Sequence, residues 1–146
     1  MKMKYAVLTV GLAFGLSSTA WAGAPATGLG QAWPNATDQS LASGYHAYVF
    51  VIGGIQYIQI NDQNGNVLGS VGTTRGQYIV LPVGKYAPQV STPQQAATTT
   101  ATPTAAPTQV YNDGTTSITS TPLSDGTMEL NATAVCDPVE CNNRGA

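Results

Sequence analysis

The stretch Tyr45-His46-Ala47-Tyr48-Val49-Phe50-Val51-Ile52-Gly53-Gly54-Ile55-Gln56-Tyr57-Ile58-Gln59-Ile60-Asn61 decides the fold. Two runs of β-branched and aromatic residues flank a glycine pair that enters positive φ without penalty, which is the pattern of a hairpin closed by a two-residue turn. With the turn at Gly53-Gly54, the numbers of facing residues add to 107. Side chains alternate along a strand. One face therefore collects Ala47, Val49, Val51, Ile58 and Ile60, and is aliphatic. The other collects His46, Tyr48, Phe50 and Ile52 with Ile55, Tyr57, Gln59 and Asn61, and mixes aromatic with polar groups.

Asn64-Gly65 reads as a second tight turn, with facing numbers adding to 129. That places Val67, Gly69 and Val71 on the aliphatic face and Leu68 and Ser70 opposite. A fourth strand over 77–82 follows, and an even-length loop after Gly72 puts Tyr78 and Val80 on the aliphatic side. Such a face forfeits about 25 cal/mol per Å² if left in water. The expected cover is a later hairpin over 109–135, where Val110, Ile118, Leu123, Met128, Leu130 and Val135 supply apolar positions. The fold class is all-β: a small antiparallel meander of about four strands (45–82) packed with that later segment, as a sandwich or a small open sheet. No window shows helical periodicity over several turns.

Outside this heart the composition divides the chain. Lys2 and Lys4 precede an apolar run from Tyr5 to Leu16, then Ala20-Trp21-Ala22. This reads as a secretory signal peptide over 1–22, too short in its apolar run for a permanent membrane anchor. Residues 23–43 form an irregular arm rich in Gly, Ala and Pro, and 44–91 hold the meander. Residues 92–108 are a Thr/Ala/Pro-rich linker or loop broken by Pro93, Pro103 and Pro107. The second β segment is 109–135, and 136–146 is a polar tail closed by a disulfide between Cys136 and Cys141, the simplest fate for such a pair in an oxidising compartment. The expected location is the bacterial periplasm or the medium.

Of 146 residues only 8% are charged, and removal of the leader leaves three basic side chains against seven acidic ones. That balance offers no electrostatic footprint for nucleic acid or for an anionic membrane surface. No cofactor and no metal site are expected: two Cys with His46 fall short of a four-ligand zinc set. His46 has no carboxylate or nucleophile placed beside it by the hairpin register, so an enzyme is not expected. Asp62, Asp113 and Asp125 sit in turn signatures, where a carboxylate bonds the local backbone.

The mixed face carries the functional expectation. Tyr48, Phe50 and Tyr57 form an aromatic cluster, with Gln59, Asn61 and His46 supplying hydrogen-bonding groups beside it. The reading is an exported binding or interaction protein whose face contacts a saccharide or a peptide, from an envelope or extracellular partner. The alternative is a structural or envelope-associated component, and a small hydrolase ranks last. The same pattern also arises if the face is a second covered layer, or is shielded by Trp33 and the arm.

Overall fold

The computed structural model describes residues 23–135, so the expected signal peptide and the expected Cys136–Cys141 disulfide lie outside the described residues. Eight strands form two sheets. The first has the order β1 (Tyr45–Ile52), β2 (Ile55–Asp62), β3 (Val67–Thr74) and β4 (Gln77–Val80), all antiparallel. The second has the order β5-β8-β7-β6, from β5 (Val90–Ser91), β6 (Thr108–Asn112), β7 (Thr116–Pro122) and β8 (Met128–Ala134). The later segment thus gives three strands rather than one hairpin, and β5 joins it parallel to β8.

The first hairpin has the expected register throughout, from Tyr45 opposite Asp62 to Ile52 opposite Ile55. Gly53 and Gly54 both have positive φ, at 60° and 79°, whose right-handed companion twist suits a two-residue turn. The third turn is built the same way. Thr74 faces Gln77, leaving Arg75 (φ 49°) and Gly76 (φ 76°) as the loop. That even loop sets Val80 opposite Val71, on the aliphatic side.

The second turn differs from the expectation in an instructive way. Asp62 N–H donates to Asn66 O, so the loop has three residues, Gln63 to Gly65, and not two. Asn61 then faces Val67, one step out of the expected register. A β-bulge between Ile60 and Asn61 restores it, because Ile60 faces Gly69 and Gln56 faces Thr73 as anticipated. The extra residue is Leu68, which the alternation placed opposite the aliphatic face. It instead joins the core, and Val67 moves to the mixed side beside Asn61.

The core lies between the sheets, with Ala47, Ile58, Ile60, Val71 and Tyr78 meeting Val90, Val110, Ile118, Leu130 and Ala132. The sheets approach closely at Gly69, where an added Cβ would lie 2.7 Å from Val90 Cγ2 and 2.9 Å from Leu130 Cδ1. Tyr78 and Thr116 share a hydrogen bond across the core at 3.0 Å. At one end Gln56 Nε2 donates to Tyr111 Oη and to Asp113 Oδ2, and Tyr111 donates to the same carboxylate oxygen. Val51, on the same side of β1 but at its far end, lies outside this core and is 70% exposed. The Thr/Ala/Pro-rich loop is tied down along its length: Thr98 N–H bonds Pro88 O, Thr102 N–H bonds Ser124 Oγ, and Thr104 N–H bonds Pro122 O.

Candidate binding face

The mixed face is covered, over its lower half, by the N-terminal arm. Phe50, Gln59 and Asn61 are fully buried and Tyr48 nearly so, while Tyr57 and His46 are half-buried. Tyr48 and Phe50 thus offer no open surface to a ligand in this structure.

What holds the arm is almost entirely polar. Gly30 N–H donates to Gln59 Oε1 at 2.6 Å, and Gln59 Nε2 donates to Gln31 O and to Asn61 Oδ1, both at 2.8 Å. Asn61 Nδ2 donates to Ala32 O at 2.7 Å and to Gly65 O at 3.2 Å. The two amides are therefore satisfied on both their oxygen and nitrogen ends, as buried amides must be. Each arm contact with these two amides uses a main-chain atom of the arm. No residue from 23 to 44 is itself buried.

A second anchor is aromatic. Trp33 lies against Gly65, packs edge-on to His46 with ring centres 5.3 Å apart, and is still 58% exposed. His46 in turn stacks on Tyr48 at 6.0 Å. The third anchor is Asp38. Its Oδ2 is 2.7 Å from His46 Nδ1, and its Oδ1 accepts from Ala47 N–H and Ser40 N–H, both at 2.9 Å. Beside it Gln39 N–H donates to Ala47 O, so this part of the arm pairs with the outer edge of β1. Burial opposes ionisation of Asp38, but these hydrogen bonds outweigh it and hold the carboxyl below its ordinary value.

The sequence reading found no carboxylate beside His46; the arm supplies one. Nothing in the hairpin register could have placed Asp38, because it comes from a segment without strand periodicity. Asp38 and His46 make a pair with no hydroxyl or thiol bonded to the imidazole among the described residues. The same residues contain no cluster of three or more metal-ligating side chains.

The three turn aspartates act as expected. Asp62 accepts from Asn64 and Asn66, Asp113 from Thr115 and Thr116, and Asp125 from Thr127. Beyond the arm, the upper half of the mixed face presents Ile52 and Ile79, both more than half exposed, with Ile55 and Tyr57 half-buried between them. Comparison with protein-family models, curated proteins and solved structures gave no match, so the geometry alone bears on function.

Proposed function

We propose that the chain is an exported interaction protein whose mixed face holds extended polypeptide by its main chain, and that the N-terminal arm is the segment held there in cis. The supporting observation is that Gln59 and Asn61, both fully buried, direct their amides at the backbone of Gly30, Gln31 and Ala32. Bonds to main-chain atoms tolerate any side chain, as in strand-addition recognition, so another extended segment can satisfy the same amides. Of the two ligand classes that an aromatic and amide-rich face suits, peptide is the one favoured by these contacts.

A labelled peptide of residues 23–43, followed by fluorescence anisotropy, tests this reading. The double variant Trp33→Ala/Asp38→Ala loosens the cis arm and is expected to bind the peptide more tightly than the unaltered chain does. Gln59→Leu in that background abolishes the binding while circular dichroism still reports a folded sheet. A loosened, folded chain that ignores the peptide overturns the proposal. A second reading, a saccharide contact, rests on the exposed indole of Trp33 in amide-rich surroundings. Quenching or enhancement of Trp33 fluorescence by soluble oligosaccharides is its test.

A further inference from the structure

Three turns of the fold set a side-chain carbonyl directly before a glycine: Asn64-Gly65, Asp113-Gly114 and Asp125-Gly126. In such a pair the glycine nitrogen, unshielded by any Cβ, can attack the preceding side-chain carbonyl carbon and close a cyclic imide. The three side chains are held differently. Asp113 Oδ1 accepts from Thr115 N–H, Thr115 Oγ1 and Thr116 N–H, and its Oδ2 accepts from Gln56 and Tyr111. Asp125 Oδ1 accepts from Thr127 N–H and Thr127 Oγ1. As tethered carboxylates at neutral pH, both are poor electrophiles. Asn64 is the one asparagine in the sequence followed by glycine. It is exposed, and although its N–H bonds Asp62 Oδ1, its neutral carboxamide has no hydrogen-bond partner among the described residues.

Gly65 is also where two ties of the arm meet. Its main chain carries the Trp33 ring, with Cε2 2.6 Å from a Cβ built on the glycine. Its C=O accepts from Asn61 Nδ2, which donates as well to Ala32 O. A displacement of Gly65 therefore reaches the arm through both the indole and the amide.

We propose that Asn64 is a modification site, converted without an enzyme to aspartate or isoaspartate, and that the conversion loosens the N-terminal arm. Hydroxide takes the proton of Gly65 N–H, the nitrogen bonds Asn64 Cγ, and the carboxamide nitrogen takes a proton from water and leaves as ammonia. Another water molecule opens the imide. Opening at Cγ gives aspartate, and opening at the main-chain carbonyl gives isoaspartate, whose main chain is longer by one methylene. Gly65 N–H donates to Asp62 O at 3.0 Å, so attack proceeds from the moments when this loop opens locally. Aspartate at 64 sets a second carboxylate beside Asp62, whose Oδ1 accepts from the N–H groups of Asn64 and Asn66. Isoaspartate lengthens the loop itself. Either product shifts Gly65 from its place under Trp33, whichever ligand the mixed face takes.

The experiment is storage of the full chain in warm, mildly alkaline buffer, with peptide mass mapping and amide exchange on the same samples. The expected result is a gain of one mass unit in the peptide that contains Asn64, and none there in Asn64→Gln, whose longer side chain closes the ring far more slowly. Converted chains are expected to lose protection at Gly30 N–H by roughly tenfold, the worth of about one hydrogen bond, while the β1–β2 ladder keeps its own. Asn64→Gln stored alongside keeps its Gly30 protection, which separates conversion from general ageing. A folded chain whose Asn64 stays intact while the free peptide 61–67 converts overturns the inference. So does a converted chain whose Gly30 N–H is protected as before.

Discussion

A Cβ built on Gly65 would lie 2.6 Å from Cε2 and 2.7 Å from Cζ2 of Trp33, so the indole ring of the arm rests directly on the main chain of the β2–β3 loop. Gly65 also has φ of 83°. Gly65→Ala is therefore expected to destabilise by about 2–3 kcal/mol, adding steric displacement of the ring to the backbone cost of a left-handed alanine. Gly53→Ala is the control: its φ is 60° but nothing lies within 4 Å of the added Cβ, so only the backbone cost of about 1 kcal/mol remains. Urea denaturation distinguishes them, and only Gly65→Ala shifts Trp33 emission to longer wavelength.

Gly69 has an ordinary backbone conformation, yet the space for a side chain is already filled by Val90 and Leu130. Gly69→Ala is expected to cost about 1–3 kcal/mol by forcing the two sheets apart. Val90→Ala made in the Gly69→Ala background is expected to recover part of that loss. A double-mutant cycle by chemical denaturation measures the coupling.

At Arg75 a non-glycine side chain occupies the left-handed region, at φ 49°, in a turn whose favoured pair is Asn-Gly. Arg75→Asn is expected to raise stability by about 0.5–1 kcal/mol without altering β3 or β4. Thermal unfolding of the two chains under the same buffer conditions is sufficient to show it.

Stability should also decline in acid. Burial disfavours the ionised forms of Asp38, Asp62 and Asp113, but local hydrogen bonds prevail and hold all three carboxyls below the ordinary value of 3.8. Such groups contribute stability that is present above the unfolded value and is lost as pH falls through the folded values. Melting temperature is thus expected to be level from neutrality to about pH 5 and to drop below about pH 4. Asp38→Asn makes that drop shallower by lowering the neutral-pH plateau, since the stability that the ionised carboxylate contributes there is removed at every pH.

Much of this architecture was legible because alternation and turn chemistry are local. Gly53-Gly54 sets the β1–β2 register by itself, and the aliphatic face followed from it as far as Ile58 and Ile60. The register of β2 with β3 was also as read, through two departures that compensate: a loop longer by one residue at Gln63–Gly65 and a bulge that absorbs Leu68. Side-chain alternation carries no mark of a bulge, so Val67 and Leu68 were exchanged between faces. The cover of the mixed face was harder to read. The arm has neither periodicity nor an apolar stripe, and it docks through main-chain atoms that look alike in every sequence. Trp33 and Asp38 are its only distinctive side chains, and their partners, Gly65 and His46, become neighbours only after two hairpins have formed. The short β5 escaped for the same reason, since its register depends on Leu130 and Asn131 far along the chain.

The parallel contact of Val90–Ser91 with Leu130–Asn131 also bears on the speed of assembly, because it joins positions forty residues apart. The first sheet closes through loops of two or three residues and can zip within microseconds, as isolated hairpins do. The second sheet must wait for a long excursion of chain to return, an entropic toll that short-range pairing never meets. Stopped-flow refolding is expected to show an early burst in Trp33 emission as the arm settles, followed by a slower phase in which β5 captures β8. During that interval the aliphatic face lies bare, and this is the window in which a chaperone would have to shield it.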